Sequence, residues 1–309
     1  MNLILRRGAM VQIGLDIGGT KIVGAVFAPN GEKQAQRTQP TPSSYEDFLS
    51  ACRTLSRELA EETKMTGPLG VCFPGGIDYQ AGTAEVANIP YLNGKLVLRD
   101  LEKSLEREVR FQNDANCIAL AESHDGAGQG ARSVLGITLS TGVGSGYIVD
   151  GKVINGANGL AGEIGHLPLP FREPEDGPVV DCFCGQKGCI EKSICGGALS
   201  RLYAFMTGRQ AKPEEIAALA STGDSGARAV LDRYYEVVAK AMIAALHSFD
   251  PEVIVVTGGL SNLSALFDEV PKRWGKYCVV KNPKTRFLKA AHGPLASLRG
   301  ASLLWKEGM

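Results

Sequence analysis

The stretch GEIGHLPLPFREPEDGPVVDCFCGQKGCIEK, residues 162–192, gathers one imidazole and three thiols: His166, Cys182, Cys184 and Cys189. Their spacing, His-x15-Cys-x-Cys-x4-Cys, with Gly185 and Gly188 free to turn a knuckle, suits a tetrahedral Cys3His zinc site. Four protein ligands leave no open position for a catalytic water, so such a metal is structural and clamps a loop. The rival reading pairs two of these cysteines as a disulfide, which the Cys-x-Cys spacing and a reducing compartment disfavour. Cys195 stands outside the pattern and reads as a packed thiol.

A second group lies in QNDANC, residues 112–117. Asn113 and Asp114 fall where a strand gives way to a helix. A carboxylate placed there can take a proton from an attacking hydroxyl, and the alternative is an Asx helix cap. Three glycine turns make the third group: Asp16 to Lys21, Ser140 to Gly146, and Thr257 to Ser261. Each closes an apolar strand and offers unencumbered backbone amides to an anion. Singly, each is also a plain tight turn; together, with Asp16 and Thr141 inside them, they point to ATP. The order Gly19-Thr20-Lys21 is not that of a P-loop, and GVGSG at 142–146 lacks the dinucleotide spacing. Asp16 interrupts an apolar run, and a carboxylate there costs stability unless something cationic or hydrogen-bonding meets it.

The elements that must position these groups follow from periodicity. Residues 11–17 and 21–28 read as a hairpin, with a third strand near 32–38. Phe48, Leu49, Cys52, Leu55 and Leu59 recur at helical spacing after a cap at Ser43 or Ser44. A buried strand at 69–73 stops at Pro-Gly-Gly, and a strand at 107–112 precedes a helix through about 125. A second hairpin spans 133–154, and its echo of the first suggests a duplicated βββ core. Helices are expected at 196–206, 213–221 and 225–248, then a buried strand in EVIVVTGGLS with a helix start after it. The reading divides the chain into a small α/β lobe, 10–122, and a larger one, 123–296, that carries the zinc loop 163–191. A final helix, about 297–309, returns to the first lobe, and Met10 is an alternative start.

Composition narrows the class. The chain has 309 residues, 44% hydrophobic and 21% charged, with 33 acids against 33 Lys plus Arg. That balance carries no electrostatic footprint for nucleic acid or a membrane surface. No apolar run nears the roughly 20 residues of a membrane span, and MNLILRRGAM is not a secretory signal, so the cytoplasm is expected. Many of the 38 glycines fall at expected strand ends, where backbone approaches a ligand.

Taken together, GLDIGGTKI, PGG at 74–76, NDANC, STGVGSG, GEIGH, CFCGQKGCIE, VVTGGLS and LRGAS resemble the ROK family of bacterial sugar kinases and related transcriptional repressors. The resemblance implies a two-lobed α/β fold of the actin-like ATPase type, hexokinase-like and ribonuclease H-like, with a structural zinc loop. The 15-residue spacer between His166 and Cys182 is longer than the family's usual one. By resemblance, Asp114 is the catalytic base, Asn113, Glu163, His166 and Glu191 hold sugar hydroxyls, and Gly75 and Gly76 meet the sugar through backbone. His166 then serves twice, one ring nitrogen on zinc and the other toward the sugar. Asp16 holds Mg2+ through water, and Gly18, Gly19, Thr20 and Lys21 take phosphates. Thr141, Gly142 and Gly144 surround the transferring group, while Gly258, Gly259 and Leu260 lie beside adenosine. The implied activity is ATP-dependent phosphorylation of the 6-hydroxyl of a hexose or N-acetylhexosamine. N-acetyl-D-glucosamine is favoured, and fructokinase or glucokinase is the alternative. A ROK-type repressor is disfavoured because about ten residues precede the first strand. Lobe closure around both substrates and a homodimer are further expectations of the resemblance.

Overall fold

The computed structural model describes residues 12–78, 81–86 and 89–306. Val11, the Met10 start, residues 79–80 and 87–88, and the end of the expected C-terminal helix lie outside them. By contact density the chain divides into two units. Unit 1 comprises 1–129, 151–161 and 294–309, and unit 2 comprises 130–150 and 162–293. The partition therefore differs from one cut at 122, because the segment 151–161 belongs with unit 1.

Unit 1 opens with antiparallel strands β1 (Gln12–Ile17), β2 (Lys21–Phe27) and β3 (Lys33–Pro40). Helix α1 (Tyr45–Thr63) follows, its first turn capped by Ser44 Oγ accepting from Asp47 N. Strand β4 (Leu69–Phe73) then runs parallel to β1, and the short β5 (Gly76–Ile77) and β6 (Ala84–Glu85) pair with each other. Helix α2 (Val97–Leu105), β7 (Val109–Asn113) and α3 (Asp114–Asp125) complete the sheet in the order β3-β2-β1-β4-β7.

Unit 2 repeats that plan. The hairpin β8 (Ser133–Leu139) and β9 (Val143–Val149) begins it, and β10 (Lys152–Val153), which lies in the segment 151–161, follows in the chain. Helices α4 (Ile190–Ile194), α5 (Gly196–Thr207), α6 (Pro213–Ser221) and α7 (Ser225–Phe249) come next. After β11 (Val253–Thr257) the chain makes a single 3-10 turn, Gly259–Asn262, instead of starting an α-helix directly. Helix α8 (Leu266–Trp274) and β12 (Arg286–Lys289) close a second sheet, β10-β9-β8-β11-β12. The strand order matches that of the first sheet position for position, so the echo between the two hairpins extends to five strands.

The last helix, α9 (Ala296–Leu303), packs on β1, β4 and α3 of unit 1. Strand alternation explains how. Ile13, Leu15 and Ile17 of β1 and Leu69, Val71 and Phe73 of β4 join one core cluster with α1. Their neighbours Gly14, Asp16, Gly70 and Cys72 point to the opposite face, where Gly14 pairs with Gly70 and Asp16 with Cys72. A Cβ at Gly14 would crowd the Leu298 carbonyl, and one at Gly70 would collide with that of Ala301. Gly300 is equally tight against the Cys117 carbonyl of α3. These glycines serve packing, beside those that fall at strand ends. Gly70→Ala should therefore lower stability by about 2 kcal/mol or more, since backbone offers the added methyl no room to relax. Urea denaturation measures it, and a loss below about 0.5 kcal/mol would refute this account of the seat.

Candidate functional site

Three candidate groups of unit 1 lie at the carboxyl ends of adjacent parallel strands, the usual ligand edge of such a sheet. Asp16 sits one residue before the end of β1, and Gly18, Gly19 and Thr20 form the turn into Lys21, the first residue of β2. The Gly18 amide donates to Lys21 O at 3.0 Å and Thr41 Oγ1 donates to Gly18 O at 2.5 Å, which fixes that turn. Gly75, at φ +130°, follows β4 and Gly76 opens β5. Asn113 ends β7, and Asp114 is the first residue of α3.

Asn113 does act as a cap, its Oδ1 accepting from Ala115 N at 2.8 Å. Its amide nitrogen meanwhile donates to Gly75 O at 3.0 Å, which ties two candidate sugar contacts together. Asp114 Oδ1 accepts from the same Ala115 N at 2.9 Å. The helix start thus holds the Asp114 carboxylate at the strand end. Behind them, Gln112 Oε1 accepts from Asn113 N at 3.0 Å and from Asn116 Nδ2 at 2.9 Å, and its Nε2 donates to Asn155 Oδ1 at 2.9 Å.

Asp16 is half-buried, and burial pushes its carboxyl above the usual carboxylate range. Three neighbours oppose that shift: hydrogen bonds from Ser297 and Cys72, and the charge of Lys21. Ser297 Oγ donates to Asp16 Oδ2 at 2.6 Å, and Cys72 Sγ lies 3.7 Å from Ser297 O. Sequence reasoning missed both partners. Cys72 carries a signal in retrospect, since it stands two residues before Pro74-Gly75 as Asp16 stands two before Gly18-Gly19. Ser297 carries none.

In unit 2 the turns that carry Thr141 and Gly258 follow neighbouring parallel strands, β8 and β11, paired through Thr138 and Thr257. Gly142 lies beside Thr141 in the first turn and Gly144 inside β9. Gly258, at φ +89°, packs so tightly on the Leu139 backbone that a Cβ would collide, and Gly259 and Leu260 start the 3-10 turn. Glu191, on the first turn of α4, is buried; its Oε2 accepts from Val143 N at 3.4 Å and would meet a Cβ on Gly142 at 3.1 Å. Lys192, also absent from the sequence reading, pairs with Glu191 Oε1 at 3.0 Å. Glu163 precedes the 3-10 turn Ile164–His166. Burial raises its carboxyl, the charge of Glu191 adds to that, and His166 opposes it.

The donor set His166, Cys182, Cys184 and Cys189 does converge, with all four ligand atoms within 4.8 Å of one another. His166 Nδ1 lies 3.6 Å from Cys182 Sγ, and Cys184 Sγ lies 3.7 Å from Cys189 Sγ. Tetrahedral bonds of about 2.3 Å to sulfur and 2.0 Å to nitrogen require sulfurs roughly 3.8 Å apart and nitrogen to sulfur roughly 3.5 Å. The residues therefore fit zinc, through Nδ1 of His166, which leaves Nε2 for another partner. All the cysteines are free, so neither pair is the disulfide of the rival reading. The Gln186 amide holds the exposed Cys184 thiol down to about 7, while burial pushes Cys189 up to about 12. Buried Cys195 is not among the four ligands.

The spacer between His166 and Cys182 is pinned rather than loose. Asp176, in the 3-10 turn Pro174–Asp176, meets Lys240 of α7 at 3.0 Å, with both side chains fully buried. Arg233 reaches the other oxygen of Asp176 at 2.7 Å.

Several proteins resemble the chain over nearly its whole length. The N-acetyl-D-glucosamine kinase of Vibrio parahaemolyticus is 38% identical over 298 residues, covering 94% of this chain and 98% of the relative. That of Photobacterium profundum is 36% identical over 296 residues, covering 94% and 98%. Among solved structures, a ROK hexokinase from Thermus thermophilus superposes with a TM-score of 0.82 at 32% identity, covering 95% of this chain and 97% of that one. A ROK family glucokinase from Streptomyces griseus, solved with glucose and AMPPNP, gives 0.75 at 28% identity, covering 94% and 98%. The two matching five-stranded sheets are accordingly those of the actin-like, hexokinase-type α/β fold. The ROK family model matches residues 12–308, and the chain belongs to the ROK family.

Proposed function

We propose that the chain is an ATP-dependent sugar kinase that transfers the γ-phosphoryl group to the 6-hydroxyl of a hexose or N-acetylhexosamine, with N-acetyl-D-glucosamine favoured. One observation carries the chemistry: two carboxylates, Asp16 and Asp114, stand at the ends of β1 and β7 in one sheet with only β4 between them. One is held by side-chain donors, the other by a helix start. The relatives' shared acceptor supports the choice of sugar.

In this reading Asp114 takes the hydroxyl proton as the sugar oxygen bonds to the γ-phosphorus and the bond to the departing ADP oxygen breaks. Asn113, Glu163, Glu191 and His166 Nε2 hold sugar hydroxyls, and Gly75 and Gly76 meet the ring through backbone. Gly18, Gly19, Thr20 and Lys21 receive phosphates, Thr141, Gly142 and Gly144 surround the transferring group, and Gly258, Gly259 and Leu260 receive the adenosine. Magnesium, when bound, neutralises phosphate charge, and Asp16 is its ligand through water. A structural zinc on His166, Cys182, Cys184 and Cys189 fixes the imidazole that faces the sugar. No helix among the described residues is long and apolar enough to cross a membrane. We assign the chain to the cytoplasm, as a homodimer, on the family resemblance.

Asp114→Asn should cut turnover by about two to four orders of magnitude, the usual worth of a general base, while changing sugar affinity little. Coupled ADP release and calorimetry measure the two, and near-normal turnover would reject the role. Across N-acetylglucosamine, fructose, glucose, mannose and N-acetylmannosamine, kcat/KM should be highest for the first; activity confined to fructose would overturn the preference. Elemental analysis should find about one zinc per chain, and Cys184→Ser should lose metal and weaken sugar binding by about tenfold or more. A metal-free chain with full activity contradicts the zinc assignment.

A further inference from the structure

The Ser297 hydroxyl makes an unusual choice of partner. A serine in the first turn of a helix ordinarily serves that helix's own free amides. Ser297 is the second residue of α9, whose start has no side-chain cap, yet its Oγ donates across to Asp16 Oδ2 at 2.6 Å, a residue 281 positions earlier. The distance is that of a charge-assisted bond to a carboxylate. Around it the packing permits little freedom. Asp16 and Cys72 are paired in register on β1 and β4, and Gly14 and Gly70 are paired two residues earlier on the same face. The backbone of α9 lies directly on those glycines. Cys72 is fully buried, pairs in register with Asp16, and its Sγ donates to Ser297 O at 3.7 Å. The arrangement therefore fixes which oxygen of Asp16 is engaged by protein.

We propose that Ser297, supported by Cys72, is a positioning residue for magnesium-nucleotide binding: its bond to Oδ2 sets the Asp16 carboxylate so that Oδ1 is the oxygen offered to magnesium-bound water. This rests on the kinase reading, and it adds residues that neither the glycine turns nor the family motifs identify. A serine that only stabilised α9 would affect nucleotide binding equally with and without the metal. A serine that orients a carboxylate toward magnesium acts only when magnesium is present.

The test compares AMPPNP binding by calorimetry in magnesium and in EDTA, for the wild type, Ser297→Ala and Ser297→Thr. Ser297→Ala should raise Kd about tenfold or more in magnesium, as expected for losing a hydrogen bond to a charged group. In EDTA its Kd should stay within about twofold of wild type, and Ser297→Thr, which keeps the hydroxyl, should recover most of the magnesium-dependent loss. Cys72→Ala should move the same way by less, and Cys72→Ser should not. Equal weakening in both buffers, or none in either, overturns the proposal. Because sugar is absent from these titrations, a wild type that phosphorylated no sugar would sink the kinase reading alone.

Discussion

A helix laid backbone to backbone on two paired strand glycines sets the position of the carboxylate at the end of β1. Gly14 and Gly70 form the row on which the Leu298 and Ala301 carbonyls rest. With any larger residue there, α9 would have to rise from the sheet, because interiors are packed too densely to absorb a methyl against backbone. Two residues along the same strands come Asp16 and Cys72, and one turn earlier on the helix comes Ser297. The fold seat and the carboxylate's partner are thus one constraint. It spans nearly the whole chain, so this edge is complete only once the last helix has docked, and the loop-closure entropy of that long connection opposes docking.

Unit 2 uses the same strand order but a different device. There the first hairpin's turn is backed by α4, whose Glu191 reaches the Val143 amide, and Gly196 N donates to Ser140 O at 2.7 Å. The four-ligand cluster holds the chain entering α4, since Cys189 immediately precedes that helix and bridges by backbone to Pro168. The long spacer would cost entropy if it were free. Instead Lys240 and Asp176 bury a charge pair beneath it, an arrangement tolerable only because Arg233 and Glu173 complete the network.

Much of this is legible in the sequence because it rests on local pattern. An apolar run stopped by Pro-Gly-Gly gives β4 at its observed bounds, helical spacing with a serine cap gives α1, and Cys-x-Cys-Gly-x-x-Gly-Cys gives the knuckle. The strand-to-helix switch at Asn113 and Asp114 is equally local. What pattern does not carry is partnership across long separations. Nothing near Ser297 says that its hydroxyl will serve β1, and nothing in FREPEDGPVVD marks Asp176 as buried. Glycine is ambiguous for the same reason: Gly18 and Gly70 look alike in a strand context, but one shapes a turn and the other admits a helix. The assignment of 151–161 to unit 1 likewise depends on contacts such as Gln112 with Asn155.

Asp16 shows how such a site balances fold against chemistry. In the proposed role Asp16 acts in its ionised form, whereas burial favours the neutral one. Hydrogen bonds from Ser297 and Cys72 and the charge of Lys21 push back, and they act through different means: the donors fix direction, the lysine supplies only field. A salt bridge in place of the serine would have kept the carboxylate charged at the cost of occupying it. A hydroxyl engages it without neutralising it, so in the proposed role its charge is left for a cation, whose field favours the ionised form. An acid embedded in an apolar strand is thus stable enough to fold and incomplete enough to bind.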